Sequence, residues 1–311
     1  MAAVSILKNQ HTLLEDIMTP LNKQVGDPIK FCHIAPTKYL AKFTKSNGAH
    51  LLLAHLVEED EEYANYYANL DDGKVKIMDN SAFEMFKQGR PMYDSDKLIE
   101  MGQKCKADVI VMSDYPKENW TKTMMAAQKM IPELKAAGFG TFYVPQGEFG
   151  DVAGVIESFR WAINNPDIDL IGVSILTCPI AFEVDESKHG DGQRHKGYSL
   201  QRFLSRWKMF RTLDEAGLLT VGALKKFHCL GMTDGPNEIE LLKDYHPYIY
   251  SWDSSAAVWA GLNGVVFDRS PSGLQYGKVE KEVDFGYQHD VPSMNRAAEF
   301  NIGYINNLCQ K

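Results

Sequence analysis

The sequence has few cysteines and no long apolar run. Its five cysteines, an odd number in 311 residues, stand far apart and form no CxxC pair, so neither a zinc ribbon nor a disulfide framework is indicated. No stretch of 18 apolar residues occurs, and the N-terminal segment lacks the continuous apolar core of a signal peptide. We therefore expect a soluble, cytoplasmic protein with reduced thiols and no membrane partner.

A nucleotide-cofactor signature and an excess of positive charge are also missing. No GxGxxG follows the first strand-like run, which argues against a doubly wound dinucleotide-binding domain. The formal net charge of −8 argues against a protein whose whole surface binds nucleic acid, although it allows a local basic segment. With 44% hydrophobic and 24% charged residues, the composition is that of a globular chain with a large core.

The chain does contain a regular alternation of strand and helix signals. Apolar runs, most of them nearly continuous, predict parallel strands covered on both faces, at residues 30–35, 50–57, 75–79, 108–114, 141–147, 170–175, 225–231 and 248–254. Helical segments lie between them, for example one that follows Asp94 and one that ends at Gly138. Eight strand–helix repeats predict a (β/α)8 TIM barrel of the α/β class, and a doubly wound open sheet is the alternative.

The chain shows no sign of a domain boundary. It has no linker rich in proline, glycine or serine, no low-complexity stretch and no internal repeat, so we expect one domain over residues 1–311. Residues 1–29 are interpreted as a helical lid across the barrel bottom, 263–288 as a hairpin or irregular insertion, and 294–309 as the final barrel helix.

Polar side chains gather at the carboxyl ends of the predicted strands, where the loops of a TIM barrel meet at one mouth. Asp79, Asp114 and Asp253 end strands three, four and eight, and Gln146 lies at the end of strand five. Each aspartate could simply cap the following helix, but Asp253 precedes two serines that are caps already. Gln146 lies between a proline and a glycine, where an amide is better explained as a ligand contact.

Paired carboxylates suit chemistry at the anomeric carbon of a sugar. One attacks C1′ and forms a covalent intermediate while the other moves protons. A guanine-like base would need an acceptor for its N1–H and amino group, which Asp114 supplies. It would also need donors for O6, which Gln146 and a backbone N–H near Gly172 and Val173 supply. Phe83 and an apolar residue at the end of strand seven could stack on the ring.

Six segments at these strand ends resemble, in the same order, the motifs of the tRNA-guanine transglycosylase superfamily over roughly residues 30–262. They are DNSAF (79–83), VMSD (111–114), VPQG (144–147), IGVS (171–174), LGMTDGP (230–236) and YSWDS (250–254). The resemblance implies Asp253 as the glycosyl-attacking nucleophile and Asp79 as its acid/base partner. It implies that the base is bound by Phe83, Asp114, Gln146, Gly172, Val173, Leu230, Gly231 and Met232.

The chain departs from the tRNA-directed enzymes of that superfamily. Their zinc site of three cysteines and one histidine follows the nucleophile strand, whereas only His289 and Cys309 occur beyond Asp253 here, so no metal is expected. The additional RNA-binding domain of archaeal members is also missing. The chain therefore looks more like the DNA-directed branch of bacteriophages and bacterial DNA-modification clusters. That likeness implies replacement of guanine in DNA by a free 7-deazaguanine such as preQ0, without a cofactor, in the host cytoplasm if the chain is phage-encoded.

A basic segment follows the sixth predicted strand, at residues 187–211, where Asp191 is the only acid. A charge run is commonly just a solvated face, but this one opens on the predicted mouth, where a phosphate backbone would lie. We therefore expect contacts with nucleic acid from Lys188, Arg194, Lys196, Arg202 and Arg206.

Several alternatives stay open. The polymer could be tRNA instead of DNA. The two aspartates could serve a retaining N- or O-glycoside hydrolase in which water replaces the incoming base. The chain could also be a non-catalytic nucleic-acid-binding barrel, and a homodimer is one open state of assembly.

Overall fold

Eight parallel strands form the centre of the protein. The computed structural model describes Leu21 and residues 27–184, 196–220, 225–232, 234–275, 277–279 and 281–310. Each strand overlaps the apolar run that predicted it. The strands are β1 (Lys30–His33), β2 (His50–Leu53), β3 (Lys76–Asp79), β4 (Val109–Val111), β5 (Gly140–Tyr143), β6 (Leu170–Ser174), β7 (Lys226–Leu230) and β8 (Ile249–Ser254).

Helices follow every strand in the described part of the chain. They are α1 (Leu40–Phe43), α2 (Ala54–Glu59), α3 (Glu61–Asn69), α4 (Ala82–Gln88), α5 (Ser95–Cys105), α6 (Trp120–Ala136), α7 (Val152–Asn164), α8 (Thr177–Ala181), α9 (Lys196–Glu215), α10 (Glu238–Leu241), α11 (Ala256–Leu262) and α12 (Pro292–Cys309), with 3-10 turns at Thr37–Tyr39 and Lys243–Tyr248. None of these helices combines the length and apolarity that a membrane span requires.

The sheet closes into a barrel. Its order is β1-β8-β7-β6-β5-β4-β3-β2, and every hydrogen-bonded neighbour is parallel. Between the two end strands, the Gly48 N–H donates to the Phe31 carbonyl at 2.9 Å. The predicted single (β/α)8 barrel is thus confirmed, and the open-sheet alternative is wrong because its two edges meet.

Local chemistry explains where the helices begin and end. The Asp94 carboxylate accepts from the Lys97 N–H at 2.9 Å and so caps α5, and Asn119 caps α6 by accepting from the Thr121 N–H at 3.2 Å. The chain leaves α6 through Gly138, whose φ of +87° suits a residue without a Cβ. Both of these helices were predicted from the same residues.

The predictions for the three segments outside the barrel repeat had different outcomes. The lid predicted for residues 1–29 lies almost entirely outside the described residues. The insertion predicted at 263–288 contains no helix or strand in its described part and is an irregular segment. The final helix, α12, begins two residues earlier than predicted and packs closely on α11. A Cβ at Gly261 would come within 2.2 Å of the Ala298 backbone.

Gly48 lies close to the Lys30 backbone at the contact that closes the barrel, and this gives a testable prediction. A Cβ at Gly48 would lie 2.7 Å from the Lys30 Cα, so Gly48→Ala must push β1 and the start of β2 apart. We expect the free energy of unfolding, measured in urea, to fall by about 1–3 kcal/mol. The control is Gly303→Ala in α12, where a Cβ meets nothing within 4 Å. That change should be neutral or stabilise by up to about 1 kcal/mol, through helix propensity. Equal destabilisation by both changes would contradict the argument.

Candidate active site

A cavity of about 860 Å³ lies at the carboxyl ends of the strands. This is the size of a small-molecule site, and it is where TIM barrels carry their chemistry. The ends of β3, β4, β5, β7 and β8 supply its polar floor, and the irregular segment after α11 supplies part of its wall. Eight residues that the sequence predicted as site residues line it: Asp79, Phe83, Asp114, Gln146, Leu230, Gly231, Met232 and Asp253.

Gly172 and Val173 do not line this cavity, and their predicted contact with a base is corrected. Both are fully enclosed within β6, where Gly172 pairs with His228 of the neighbouring strand. A Cβ on Gly172 would lie 2.9 to 3.0 Å from side chains of Leu230, Phe142 and Val144, so the glycine serves packing inside the barrel. The β6 segment lines the cavity only from Ser174 onward.

The carboxylate of Asp253 is held from one side. His228 Nε2 lies 2.9 Å from Oδ1, and the Gly231 N–H donates to the same oxygen at 3.1 Å. His228 Nδ1 in turn lies 2.7 Å from the Ser251 hydroxyl, so both ring nitrogens are within hydrogen-bond distance of a partner. Among the described residues no donor contacts Oδ2. Asp253 therefore presents one fixed carboxylate with a free oxygen, as a nucleophile requires.

Asp79 faces the same cavity in a different environment. Its carboxylate accepts from the Ser81 N–H at 2.9 Å. Burial, followed by the nearby charges of Glu84 and Asp253, raises the pKa of Asp79 well above its usual range. Asp79 thus favours its protonated form more than an exposed aspartate does, whereas Asp253 is bound by two donors. Two carboxyl groups in unlike surroundings can take the roles of acid and nucleophile.

The turn that carries Asp79 is conformationally unusual. Ser81 has φ of +56°, a left-handed value that is costly for a residue with a Cβ. Its hydroxyl lies 3.1 Å from the His55 N–H and 2.9 Å from His55 Nδ1, both of which hold the turn in place. This turn starts α4 directly at the end of β3, so that Phe83 and Glu84 also reach the cavity.

Glu84 is a site residue that the sequence reading gave no role. Its half-buried carboxyl lines the cavity, and burial, together with the nearby charge of Asp253, raises its pKa to about 7. The available signal was a second carboxyl five residues after Asp79 and in the first turn of the helix.

A hydrogen-bonded group of four side chains forms another part of the floor. The Asp114 carboxylate accepts from Asn80 Nδ2 at 2.7 Å on one oxygen and from the Gln146 amide on the other. The Thr177 hydroxyl donates to Gln146 Oε1 at 2.8 Å and fixes which way the amide faces. Burial raises the pKa of Asp114 to about 6, against the donors that lower it. Neither Asn80 nor Thr177 was singled out from the sequence.

Arg206 is not available for the nucleic-acid contact predicted for it, because its side chain is only 1% exposed. Its guanidinium donates to the carbonyls of Leu230 and Gly231 at 2.8 and 3.0 Å and lies over the Trp252 ring, 4.7 Å from its centroid. Glu238, also buried, approaches it at 3.5 Å. The Trp252 Nε1–H donates to the Gly231 carbonyl as well, at 2.8 Å. Arg206 therefore holds the peptide whose N–H binds Asp253.

The predictions of nucleic-acid contact for the other four basic residues had different outcomes. Arg202 is largely buried, and its Nε lies 3.9 Å from Asp234, so it is also turned toward the protein. Lys188 and Arg194 lie outside the described residues. Lys196 begins α9, but the description does not extend to its side chain. The phosphate contacts of these three lysine and arginine positions stay predictions.

Within the described ranges, no cluster of three histidine, cysteine, aspartate or glutamate side chains could hold a metal ion. No protein-family model and no curated protein matches the chain.

The chain is similar in fold to several solved structures, all with little sequence identity. One is a protein from Coccidioides immitis with a provisional assignment as a fructose-1,6-biphosphate aldolase, at 10% identity and a TM-score of 0.43, covering 96% of this chain and 92% of that one. Another is beta-methylaspartase from Clostridium tetanomorphum, at 10% identity and a TM-score of 0.40, covering 98% of this chain and 65% of that one. A mutant methylaspartate ammonia lyase from the same organism has 11% identity, a TM-score of 0.40 and the same coverage.

The raised pKa of Asp79 predicts a pH-dependent gain in stability for Asp79→Asn. Because the carboxyl holds its proton more tightly in the folded than in the unfolded chain, native stability is lost as the pH rises above about 4, the unfolded value. The asparagine does not titrate, so its advantage in free energy of unfolding should grow between pH 4 and pH 8. Urea unfolding at several pH values measures it, with Asp71→Asn in an exposed loop as the control for net charge. A constant difference between Asp79→Asn and the native chain would refute the assignment.

Proposed function

We propose that this protein is a base-exchange transglycosylase that replaces guanine in DNA with a free 7-deazaguanine. The observation that carries the proposal is the arrangement of one cavity. It has a held carboxylate with a free oxygen (Asp253), a carboxyl with a raised pKa (Asp79) and a polar edge made by Asp114 and Gln146. The motif resemblance supplies the substrate class, and the geometry is compatible with it.

In the first step, Asp253 Oδ2 attacks C1′ of the flipped nucleotide. The electron pair of the C1′–N9 bond leaves with guanine, which takes the proton from Asp79. In the second step, the incoming base gives its N9 proton to Asp79, and N9 displaces Asp253 from C1′. Two inversions restore the β configuration. Asp79 ends protonated, as it began. The incoming base is the only species consumed besides the nucleic acid, and guanine is the only species released.

The Asp114–Gln146 pair supports recognition of a guanine-like edge. An amide nitrogen carries two protons, and Gln146 uses one of them on Asp114, so one donor remains for O6 of the base. The oxygens of Asp114 retain lone pairs for N1–H and the exocyclic amine. A donor and an acceptor thus lie side by side, in the order that 7-deazaguanine and guanine share. The side chains of Leu230, Met232 and Phe83 supply apolar surface for the ring.

The covering of the mouth favours exchange over hydrolysis. Phe267, Leu274 and Phe285, from the irregular segment after α11, add apolar side chains to the lining of the cavity. An apolar cover limits the access of water to a glycosyl–enzyme intermediate, and the base-reading pair gives a second base a place to bind. A hydrolase needs neither feature.

Substitution of the nucleophile tests the reaction. The protein is incubated with DNA and, separately, with tRNA in the presence of preQ0, and the polymer is digested to nucleosides for mass analysis. Labelled guanine provides the exchange rate. We expect new base in DNA, and a loss of roughly 10⁴-fold in rate for Asp253→Asn, which keeps the side-chain volume but removes the attacking charge. Asp71→Asn is the matched control on an exposed loop.

Each other outcome of that experiment identifies a different function. An abasic or reducing sugar would indicate a hydrolase, and new base in tRNA alone would make RNA the substrate. Binding without any product, unchanged by loss of Asp79 and Asp253, would indicate a non-catalytic barrel. Full exchange activity in Asp253→Asn would remove the central claim.

The ionisation of Asp114 predicts how base binding depends on pH. Its carboxylate is the acceptor for N1–H, and its pKa is about 6, so protonation below that value removes the acceptor. The KM for the incoming base should rise by about tenfold or more as the pH falls from 7 to 5, the scale of one hydrogen bond to a charged group. In Asp114→Asn, KM should be high throughout and lack this inflection. Glu84→Gln should retain the inflection near pH 6, and its loss there would assign the dependence to Glu84 instead.

A further inference from the structure

We propose that the rim of the cavity binds single-stranded DNA beside the target nucleotide, with Phe86 and Lys117 as its main contacts. The rim, called the aromatic–lysine rim below, consists of Phe83, Phe86, Lys87, Tyr115, Lys117 and Lys122. It is formed by α4 and by the loop and helix start that follow β4. The identity of the polymer rests on the proposed function, but Phe86 and Lys117 are outside the catalytic and base-reading groups.

Two phenylalanine side chains on α4 are about half exposed to solvent, so they do not stabilise the core as buried rings would. Phe83 is 50% and Phe86 is 47% exposed. They lie three residues apart, so they share one face of the helix. Phe83 lines the cavity, and Phe86 continues the same face outward from it. Exposed apolar surface that continues from a cavity is a feature of binding sites.

A lysine accompanies each ring of the rim. Lys87 Nζ lies 5.9 Å from the centroid of Phe83, Lys117 Nζ 5.8 Å from that of Phe86, and Lys122 Nζ 4.5 Å from that of Tyr115. Lys87 pairs with Glu282, and Lys122 pairs with Glu118 at 3.1 Å. Lys117 has no carboxylate within 4.0 Å among the residues that the structure describes. Its positive charge is therefore available to a phosphate.

The combination of flat rings and interleaved cations fits an unpaired strand. Bases stack on aromatic side chains whatever their identity, while lysines follow the backbone. In a duplex the faces of the bases are covered by their neighbours, so such a platform has nothing to stack on. An unpaired strand also spares the cost of a few kcal/mol for turning the target nucleotide out of a helix. The occupant that matches this rim is thus a strand already open.

Fluorescence anisotropy with a labelled thymidine-only oligonucleotide, free and annealed to its complement, tests the inference. We expect tighter binding of the single strand than of the duplex. Phe86→Ala should weaken it about tenfold, the scale of one lost stacked base. Lys117→Ala should weaken it too and reduce the slope of log affinity against log salt by about 0.7. The matched controls are Phe300→Ala, a 54% exposed ring on α12, and Lys104→Ala on α5, and neither should change the affinity.

The inference fails if Phe86→Ala binds as tightly as Phe300→Ala, or if the duplex binds better than the single strand. These outcomes are separate from those of the base-exchange assay, because an oligonucleotide without guanine cannot react. Binding that depends on Phe86 and Lys117 supports the rim even if no base is exchanged. Exchange at the native rate by Phe86→Ala on a single-stranded substrate would overturn the rim and leave the transglycosylase intact.

Discussion

Everything at the mouth of this protein depends on the contact between β1 and the start of β2. In the hydrogen-bonded order of the sheet, β3 and β8 are separated by four strands on one side, and on the other side only by β2 and β1. Without the bond from the Gly48 N–H to the Phe31 carbonyl, the carboxyls of Asp79 and Asp253 would stand far apart on an open sheet. Closure makes them neighbours across one cavity, where the charge of Asp253 adds to burial in raising the pKa of Asp79.

Burial and hydrogen bonding divide the acidic groups of that cavity into separate roles. Asp253 receives two donors on one oxygen, and Asp114 receives one donor on each oxygen. Asp79 receives a single backbone donor, and burial, with the nearby charges of Glu84 and Asp253, raises its pKa well above the usual range. The fold therefore brings several carboxyl groups into one buried cavity and gives each of them a different set of hydrogen-bond donors.

The sequence predicted the barrel and most of the cavity because both follow from position along a strand. Apolar runs covered on both faces located the strands, and a polar residue directly after a run is carried to the mouth. The same rule failed for Gly172 and Val173, which lie inside β6, two residues and one residue before Ser174 at the cavity. His228 lies in the middle of β7, where nothing in that strand alone assigns it a partner. Its support of Asp253 depends on the register of two strands and could not be read from one of them.

The basic segment shows a different limit of the sequence. Arg206 approaches the buried Glu238, which lies 32 residues further along the chain. A run of positive charge in a sequence does not show which of its residues makes such a contact. Helical periodicity could have separated inner from outer positions, but α9 has charged and apolar residues on all sides. Only the packing of α9 against the end of β7 assigns Arg206 to the interior.

That assignment gives position 206 a narrower range of tolerated residues than its neighbours on the same helix. A guanidinium is flat, donates to two carbonyls at once and lies on an indole ring, and an ammonium group can do only part of this. An exposed position of α9 such as Arg211, which pairs with Glu215 one turn away, can change more freely. Arginine must be retained at 206, since it holds the peptide whose N–H donates to Asp253.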